Sequence, residues 1–201
     1  MLLLTARTQR SGYPTFEAMS VLKEKNFFEY LHERFTRFPY KKESDDVCSE
    51  LNYLAKINKE VKVPKSFDSD SYLGSIYLIC GNSYKHKHDE LLKNIFLLCV
   101  RLSYHYQRPR PHVACMTYNI PVCAVNSEWL TTPSYPNPFL CGAKLVMLIE
   151  EDKDADKKLK NAAMLFMAAG WHYPSDNGFA QSIAEIIFQD NYFQQIFKQK
   201  K

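Results

Sequence analysis

Apolar residues recur every three or four positions along most of the chain, which is the spacing of helices that bury one face. The pattern is clearest over residues 89–106. Two prolines follow shortly after it, where a helix is expected to end. The same spacing predicts further helices over residues 15–38, 44–59, 140–150, 155–169 and 176–197. The hydrophobic pattern therefore predicts an all-α fold.

Three stretches interrupt this pattern. Residues 61–71 combine a proline with alternating serine and aspartate, and they are expected to form a loop. Residues 72–80 are apolar and are compatible with either a short helix or a strand. Residues 110–139 contain half of the prolines and are expected to be irregular. A long loop of this kind in a compact domain is usually functional, so it is a candidate for part of a site.

Composition narrows the class of protein. With 201 residues, of which 46% are hydrophobic, the chain is long enough to form one domain over residues 1–201. The formal charge is only +4 and the basic residues form no single stripe, which argues against nucleic-acid binding. The apolar runs are far shorter than the roughly 20 residues of a membrane span. We therefore expect a soluble, cytoplasmic protein with no membrane span.

Cysteine usage and residue bias add further expectations. None of the six cysteines belongs to a CxxC pair, so we expect buried reduced thiols and no metal site. Richness in Lys, Asn, Tyr, Phe and Ile, with only 6 Gly, suggests an AT-rich coding genome such as that of a virus or phage. A virus-encoded protein of this kind would be a virion component. In either setting we expect protein partners or a homo-oligomer.

Three segments in the second half of the chain combine charged and polar residues at regular spacings. In the first, Arg101 and Arg108 are seven residues apart, which would place them on one face of a helix, and Pro109 follows. The second, residues 133–139, reads Pro-Ser-Tyr-Pro-Asn-Pro-Phe. The third, residues 170–176, reads Gly-Trp-His-Tyr-Pro-Ser-Asp.

With these three segments, residues 89–184 resemble the type 2 phosphatidic acid phosphatase and vanadium haloperoxidase superfamily. The resemblance implies a helical bundle of the acid phosphatase and vanadium haloperoxidase type. It also implies that His172 matches the histidine that attacks the phosphoryl group, and Asp176 the aspartate that orients its ring. Arg101 and Arg108 match the basic residues that bind phosphate, although the family has lysine at the position of Arg101.

Four positions depart from the family pattern. Phe139 stands where the family has the histidine that protonates the leaving oxygen, and a phenyl ring cannot donate a proton. Asn137 and Pro138 replace a serine and a glycine that offer a hydroxyl and N–H groups to the phosphate. Phe166 replaces an arginine that clamps it. Each loss is expected to lower the rate by about 10²-fold or more, so efficient catalysis is not expected.

These departures leave three hypotheses open. The first is a pseudoenzyme that serves as a structural or protein-interaction subunit. The second is an active soluble phosphatase that acts on phosphomonoesters through a phosphohistidine, with replacement charge from Lys144, Lys158 or Lys160. The third is a module that binds a phosphate-like anion through the two matched arginines and His172 without turnover. None of them calls for a cofactor. A vanadate haloperoxidase is disfavoured, because it would use the same donors that have been replaced.

Plainer explanations exist for several of these residues. Asp176 could be a helix N-cap, with His172 packed in the preceding turn. His86, His88 and Asp89 could be imagined as metal ligands, but a solvated helix start is favoured for them.

The retained arginines carry one further expectation. A buried guanidinium without a partner is costly, so arginines that persist beside two phenylalanines need acidic or carbonyl acceptors. We expect Asp176 to hold the ring of His172, and an acidic group or a bound anion to satisfy Arg108. The matched residues would then form a polar link between helices.

Overall fold

The computed structural model describes residues 25–36, 44–64, 72–84, 86, 88–124, 132–191 and 193–194. Across these residues the regular secondary structure is helical and includes no strand, so the predicted all-α fold is confirmed. The helices are α1 (Lys25–Thr36), α2 (Ser44–Glu60), α3 (Tyr72–Cys80), α4 (Asp89–Tyr106), α5 (Pro111–Tyr118), α6 (Pro138–Ile149), α7 (Ala155–Ala168) and α8 (Pro174–Gln189), with a 3₁₀ turn at Asn82–Tyr84. Within the described ranges, no helix is both long and apolar enough to cross a membrane.

Three of the helices begin at a proline. Pro111, Pro138 and Pro174 stand in the first turn of α5, α6 and α8. Proline suits the start of a helix because its fixed φ is helical and its missing N–H would have no partner within the helix. The expectation of an irregular segment over residues 110–139 is therefore wrong in part, since α5 lies inside it and α6 begins at its end.

Most of the other predicted elements agree closely with the structure where it describes them. The helix predicted over residues 176–197 is wrong in part, because α8 ends at Gln189 and Asp190 has an extended backbone. The helices predicted over residues 89–106, 140–150 and 155–169 coincide with α4, α6 and α7 to within two residues. The ambiguous segment 72–80 is a helix. Other parts of the predicted elements, at residues 15–24, 37–38, 65–71, 125–131 and 195–197, lie outside the described residues.

Helix α6 is the centre of the larger hydrophobic core. It packs against α3, α4, α7 and α8, and nearly all of its side chains are buried. Gly142 permits the close approach of α3, because a Cβ atom at this position would lie 2.5 Å from the hydroxyl oxygen of Tyr72. The start of α6 is tied to the start of α8 by a hydrogen bond from the Asn137 N–H to the carbonyl of Asp176, 3.3 Å.

A second apolar cluster joins α2, α5 and α7. Asn58 of α2 reinforces it by donating from its side-chain nitrogen to the carbonyl oxygens of Cys123, at 2.8 Å, and Ala168, at 2.7 Å. Leu51 is fully buried in this cluster. Its packing brings the preceding residue, Glu50, to the start of α8, where Glu50 meets the candidate site.

Candidate functional site

His172 lies in the turn between α7 and α8 and is completely buried. Its Nδ1 atom is 2.8 Å from the carbonyl oxygen of Ser134, and its Nε2 atom is 3.1 Å from Nη1 of Arg110. A carbonyl can only accept and a guanidinium can only donate, so the proton is assigned to Nδ1 and Nε2 accepts from Arg110. Burial and the charge of Arg110 lower the pKa of His172 to about 4, which makes the ring neutral at pH 7.

Asp176, also completely buried, is the third residue of α8. Its Oδ2 atom accepts a hydrogen bond from the N–H of Tyr173, at 2.9 Å, and lies 3.4 Å from Nδ1 of His172. Its Oδ1 atom accepts from Nη1 of Arg108, at 2.7 Å. Burial alone would raise the pKa of Asp176, but the charge of Arg108 and the contact with His172 offset that effect, and the pKa is lowered.

These contacts refine two expectations about the histidine and aspartate. Tyr173, rather than Asp176, is the N-cap of α8, and the Asp176 carboxylate accepts from the N-cap N–H. Asp176 does lie beside the ring of His172. The shorter contact of Nδ1 is with the Ser134 carbonyl, so a backbone oxygen orients the ring together with Asp176.

Arg108 stands two residues after the end of α4 and is buried. Nη1 donates to Oδ1 of Asp176 and to Oγ of Ser175, the latter at 2.5 Å, and Nη2 donates to Oε2 of Glu50. The guanidinium carbon also lies 3.7 Å from the centroid of the Tyr173 ring, within the range of a cation–π contact. The acidic partners expected for Arg108 are therefore Asp176 and Glu50.

Arg110 is a second buried guanidinium that the sequence-based choice of residues missed. Besides His172, it donates to the carbonyl oxygens of Thr132 and Trp171, both at 2.9 Å, and to the Thr132 hydroxyl at 3.1 Å. The available signal was its position between two prolines directly after Arg108. Arg110 places a positive charge directly beside the candidate nucleophile.

The structure does not join Arg101 to this group. Within the described residues, Arg101 forms no hydrogen bond or ion pair with Arg108, His172 or Asp176. Its charge acts instead on His32 of α1, whose pKa is lowered first by burial and then by Arg101. The helical-face prediction fails because α4 ends at Tyr106 and the next residue, Gln107, adopts a left-handed conformation with φ 50°. The chain thus turns before it reaches Arg108.

The four departures from the family pattern lie in or next to the site. Asn137 is the N-cap of α6, where its side-chain oxygen accepts from the N–H of Phe139 at 3.0 Å, and Pro138 follows as the first helical residue. The ring of Phe139 stacks on that of Phe166 at 5.2 Å. Phe166 in turn meets the ring of His172 edge-on at 5.8 Å. Phe166 therefore lies directly against the histidine ring, and Phe139 packs on Phe166.

The lysines considered as replacement charge lie elsewhere. Lys144 pairs with Glu185 at 3.2 Å and with Asp156 at 3.7 Å. Lys158 pairs with Asp152 at 2.6 Å, and Lys160 is exposed. Within the described residues, none of these lysines is hydrogen-bonded to His172 or Asp176. The positive charge beside the histidine comes from Arg110.

The histidine pair before α4 is a polar packing site. His86 is exposed and contacts Asp89 at 3.2 Å, in keeping with a solvated helix start. His88 differs from that expectation, because it is buried and its Nε2 atom lies 2.8 Å from Oε1 of Glu150. In the part of the chain that the structure describes, no group of three His, Cys, Asp or Glu residues could hold a metal ion.

Comparison with known proteins adds no relative to this picture. No family model matches the chain, and no curated protein or solved structure is significantly similar to it. The resemblance to the phosphatase and haloperoxidase superfamily therefore rests on the three sequence segments alone.

Proposed function

We propose that the protein is a catalytically degenerate relative of the phosphatidic acid phosphatase and vanadium haloperoxidase superfamily that serves as a structural or protein-interaction subunit. In this proposal the group formed by Glu50, Arg108, Arg110, His172 and Asp176, here named the polar staple, stabilises the fold and does not turn over phosphate. The supporting observation concerns Nε2 of His172, which is the atom that a phosphohistidine mechanism would use. This atom accepts a hydrogen bond from Arg110, and the His172 side chain is completely buried.

The electrostatics of the polar staple also support a structural role. The group contains two guanidinium groups and two carboxylates, and His172 is neutral, so the formal charges within the group cancel. Both carboxylates contact Arg108. A phosphomonoester dianion would have to displace a carboxylate from Arg108, whose Nη1 and Nη2 atoms both donate to acidic side chains. The rings of Phe139 and Phe166 offer such a dianion no compensating hydrogen bond.

The contacts of the polar staple link distant parts of the chain. Glu50 belongs to α2, Arg108 and Arg110 follow α4, and His172 and Asp176 flank the start of α8. Removing one member of such a buried pair typically destabilises a protein by about 3–5 kcal/mol, because the other charge stays buried. A helical scaffold held in this way suits a subunit that presents its outer surface to a partner or to a second copy, in the cytoplasm or in a virion.

The alternative is an active soluble phosphatase, and one observation favours it. With its proton on Nδ1, His172 is in the tautomer that a nucleophilic histidine needs, and its lone pair points toward a guanidinium. If Arg110 moved away from Nε2 of His172 and a phosphomonoester took its place, the lone pair of Nε2 would be free to attack the phosphorus atom.

Hydrolysis of p-nitrophenyl phosphate separates the two functions. We expect the purified protein to show no turnover above a His172→Ala variant. The matched control is His86→Ala, because the His86 side chain is 72% exposed and lies outside the polar staple. A kcat within roughly 1–10³ s⁻¹ that survives in His86→Ala and disappears in His172→Ala would overturn the pseudoenzyme proposal.

A further inference from the structure

Glu50 is bound by donors on two other segments of the chain. Its Oε1 atom accepts from the backbone N–H of Ser175 at 2.8 Å. Its Oε2 atom accepts from the Ser175 hydroxyl at 3.0 Å and from Nη2 of Arg108. The same hydroxyl accepts from Nη1 of Arg108 at 2.5 Å, so its single proton is available for Glu50. One carboxylate thus receives a backbone, a hydroxyl and a guanidinium hydrogen bond.

These donors are of the kinds that bind free oxyanions. A first-turn N–H of a helix favours negative charge, and a guanidinium matches the paired oxygens of a carboxylate or phosphate. Arg108 is only 4% exposed. The anion-binding position therefore includes a buried guanidinium as well as the N–H at the start of α8. The donors come from α8 and from Arg108, which lies two residues after the end of α4, whereas the acceptor comes from α2.

We propose that Glu50 is an internal, displaceable ligand that closes an oxyanion-binding position formed by Arg108 and Ser175. The position would accept a carboxylate, phosphate or sulfate group whenever Glu50 is withdrawn. This inference rests on the proposed function in one respect: it takes Arg108 to be held by carboxylates in the resting protein. The inference adds that the Glu50 carboxylate can be exchanged for another anion, and that Glu50 thereby regulates access to Arg108 and Ser175.

The two carboxylates on Arg108 differ in burial, and that difference identifies the exchangeable one. The Asp176 side chain is 0% exposed and also holds Tyr173 and His172, whereas the Glu50 side chain is 17% exposed. Loss of the Glu50 charge would leave the polar staple with a net positive charge next to the partly exposed position that Glu50 occupied. That excess favours an incoming anion.

The test is anion rescue of a Glu50→Ala variant. Its melting temperature, and that of the wild type, would be measured in sodium chloride, sodium formate and sodium phosphate at equal ionic strength. We expect Glu50→Ala to melt below the wild type in chloride and to regain about 2–4 °C or more in formate or phosphate. Calorimetric titration with inorganic phosphate should show binding to the variant only.

Two further variants control the result. Glu60→Ala removes an exposed carboxylate from the last position of α2 and should show no formate- or phosphate-specific shift. Glu50→Ala with Ser175→Ala should lose most of the rescue, because the hydroxyl donor is gone. If Glu50→Ala does not fold, Glu50→Gln removes the charge at nearly constant volume and takes its place.

Two results would overturn the inference: equal anion responses in Glu50→Ala and Glu60→Ala, or phosphate binding of equal strength in the wild type. The failure of the proposed function would be visible separately. Hydrolysis of p-nitrophenyl phosphate by the wild type contradicts the pseudoenzyme role but leaves anion rescue intact. Absence of rescue contradicts only the displaceable-ligand role of Glu50.

Discussion

Arg110 donates a hydrogen bond from Nη1 to Nε2 of His172 across 3.1 Å, with both side chains buried. A guanidinium has no lone pair to offer, so this contact requires the unprotonated face of the ring and excludes a doubly protonated histidine. The same contact occupies the atom on which a phosphohistidine would form. Arg110 therefore adds to the effect of burial in keeping His172 neutral, and it occupies the lone pair of Nε2.

Replacing Arg110 with Gln should raise the pKa of His172. Burial is the larger cause of the low value of about 4 and the Arg110 charge is the second, so the pKa should move toward the ordinary 6.5 without reaching it. Nitrogen-detected NMR titration of the imidazole would measure the change. Arg110→Lys keeps the charge and is the matched control, for which we expect a smaller rise. An unchanged pKa in Arg110→Gln would contradict the electrostatic role of Arg110.

The wild type should lose stability in mild acid. The pKa of His172 is lower in the folded protein than in the unfolded chain, so unfolding takes up a proton as the pH falls. The stabilising contribution is complete above about pH 6.5 and is lost progressively as the pH falls toward about 4, and the loss at that pH is roughly 1–3 kcal/mol. Urea unfolding at a series of pH values would measure this dependence.

A His172→Gln variant tests the origin of that acid sensitivity. Its free energy of unfolding should depend less steeply on pH between 6.5 and 4. Some slope should remain, because burial also lowers the pKa values of His32 and His112. The lowered pKa of Asp176 acts in the same direction at more acidic pH. Equal slopes for the variant and the wild type would show that His172 is not a source of the effect.

Helical spacing predicted most of the described helices, but it could not show which prolines begin a helix and which interrupt one. The apolar positions of α4, α6 and α7 are a local signal, and each of these helices was placed to within two residues. Prolines have two meanings, since they disrupt a helix interior but suit a helix start. Pro111 begins α5, so a segment that looked irregular from its proline content contains a helix.

The site was predictable only where its residues form a local motif. His172 and Asp176 are four residues apart, and Arg108 belongs to an Arg-Pro pair, so sequence alone could select them. Glu50 could not be selected, because its contact with Ser175 joins residues 125 positions apart. Arg101 was selected because its spacing from Arg108 matches the family motif, but α4 ends at Tyr106 and the left-handed Gln107 turns the chain before it reaches Arg108.

The stacked rings of Phe139 and Phe166 should be important for stability. Phe166 is buried between Phe139 and His172, so Phe166→Ala would leave a cavity and cost about 3–5 kcal/mol. Met116→Ala is a suitable control, because Met116 is 75% exposed and its truncation should change stability by less than about 0.5 kcal/mol. Urea unfolding compares the two variants. A small loss in Phe166→Ala would mean that the ring does not fill the space beside His172.

Replacing Arg108 with Met should destabilise the fold more than any comparable change of Arg101. Arg108→Met leaves the buried carboxylate of Asp176 and the partly buried one of Glu50 without their shared cation, at a cost of about 3–5 kcal/mol. Arg101→Met is the matched control, since Arg101 forms no ion pair among the described residues and should change stability little. Adding Glu50→Gln to Arg108→Met should restore part of the loss, because it removes one of the two uncompensated charges.

Thermal melting and urea unfolding report these differences, and binding of any partner at the outer surface should persist in Arg108→Met. An unchanged melting temperature together with lost binding of phosphate or sulfate would favour an anion-binding module over a structural staple, because Arg108 would then serve a ligand and not the fold.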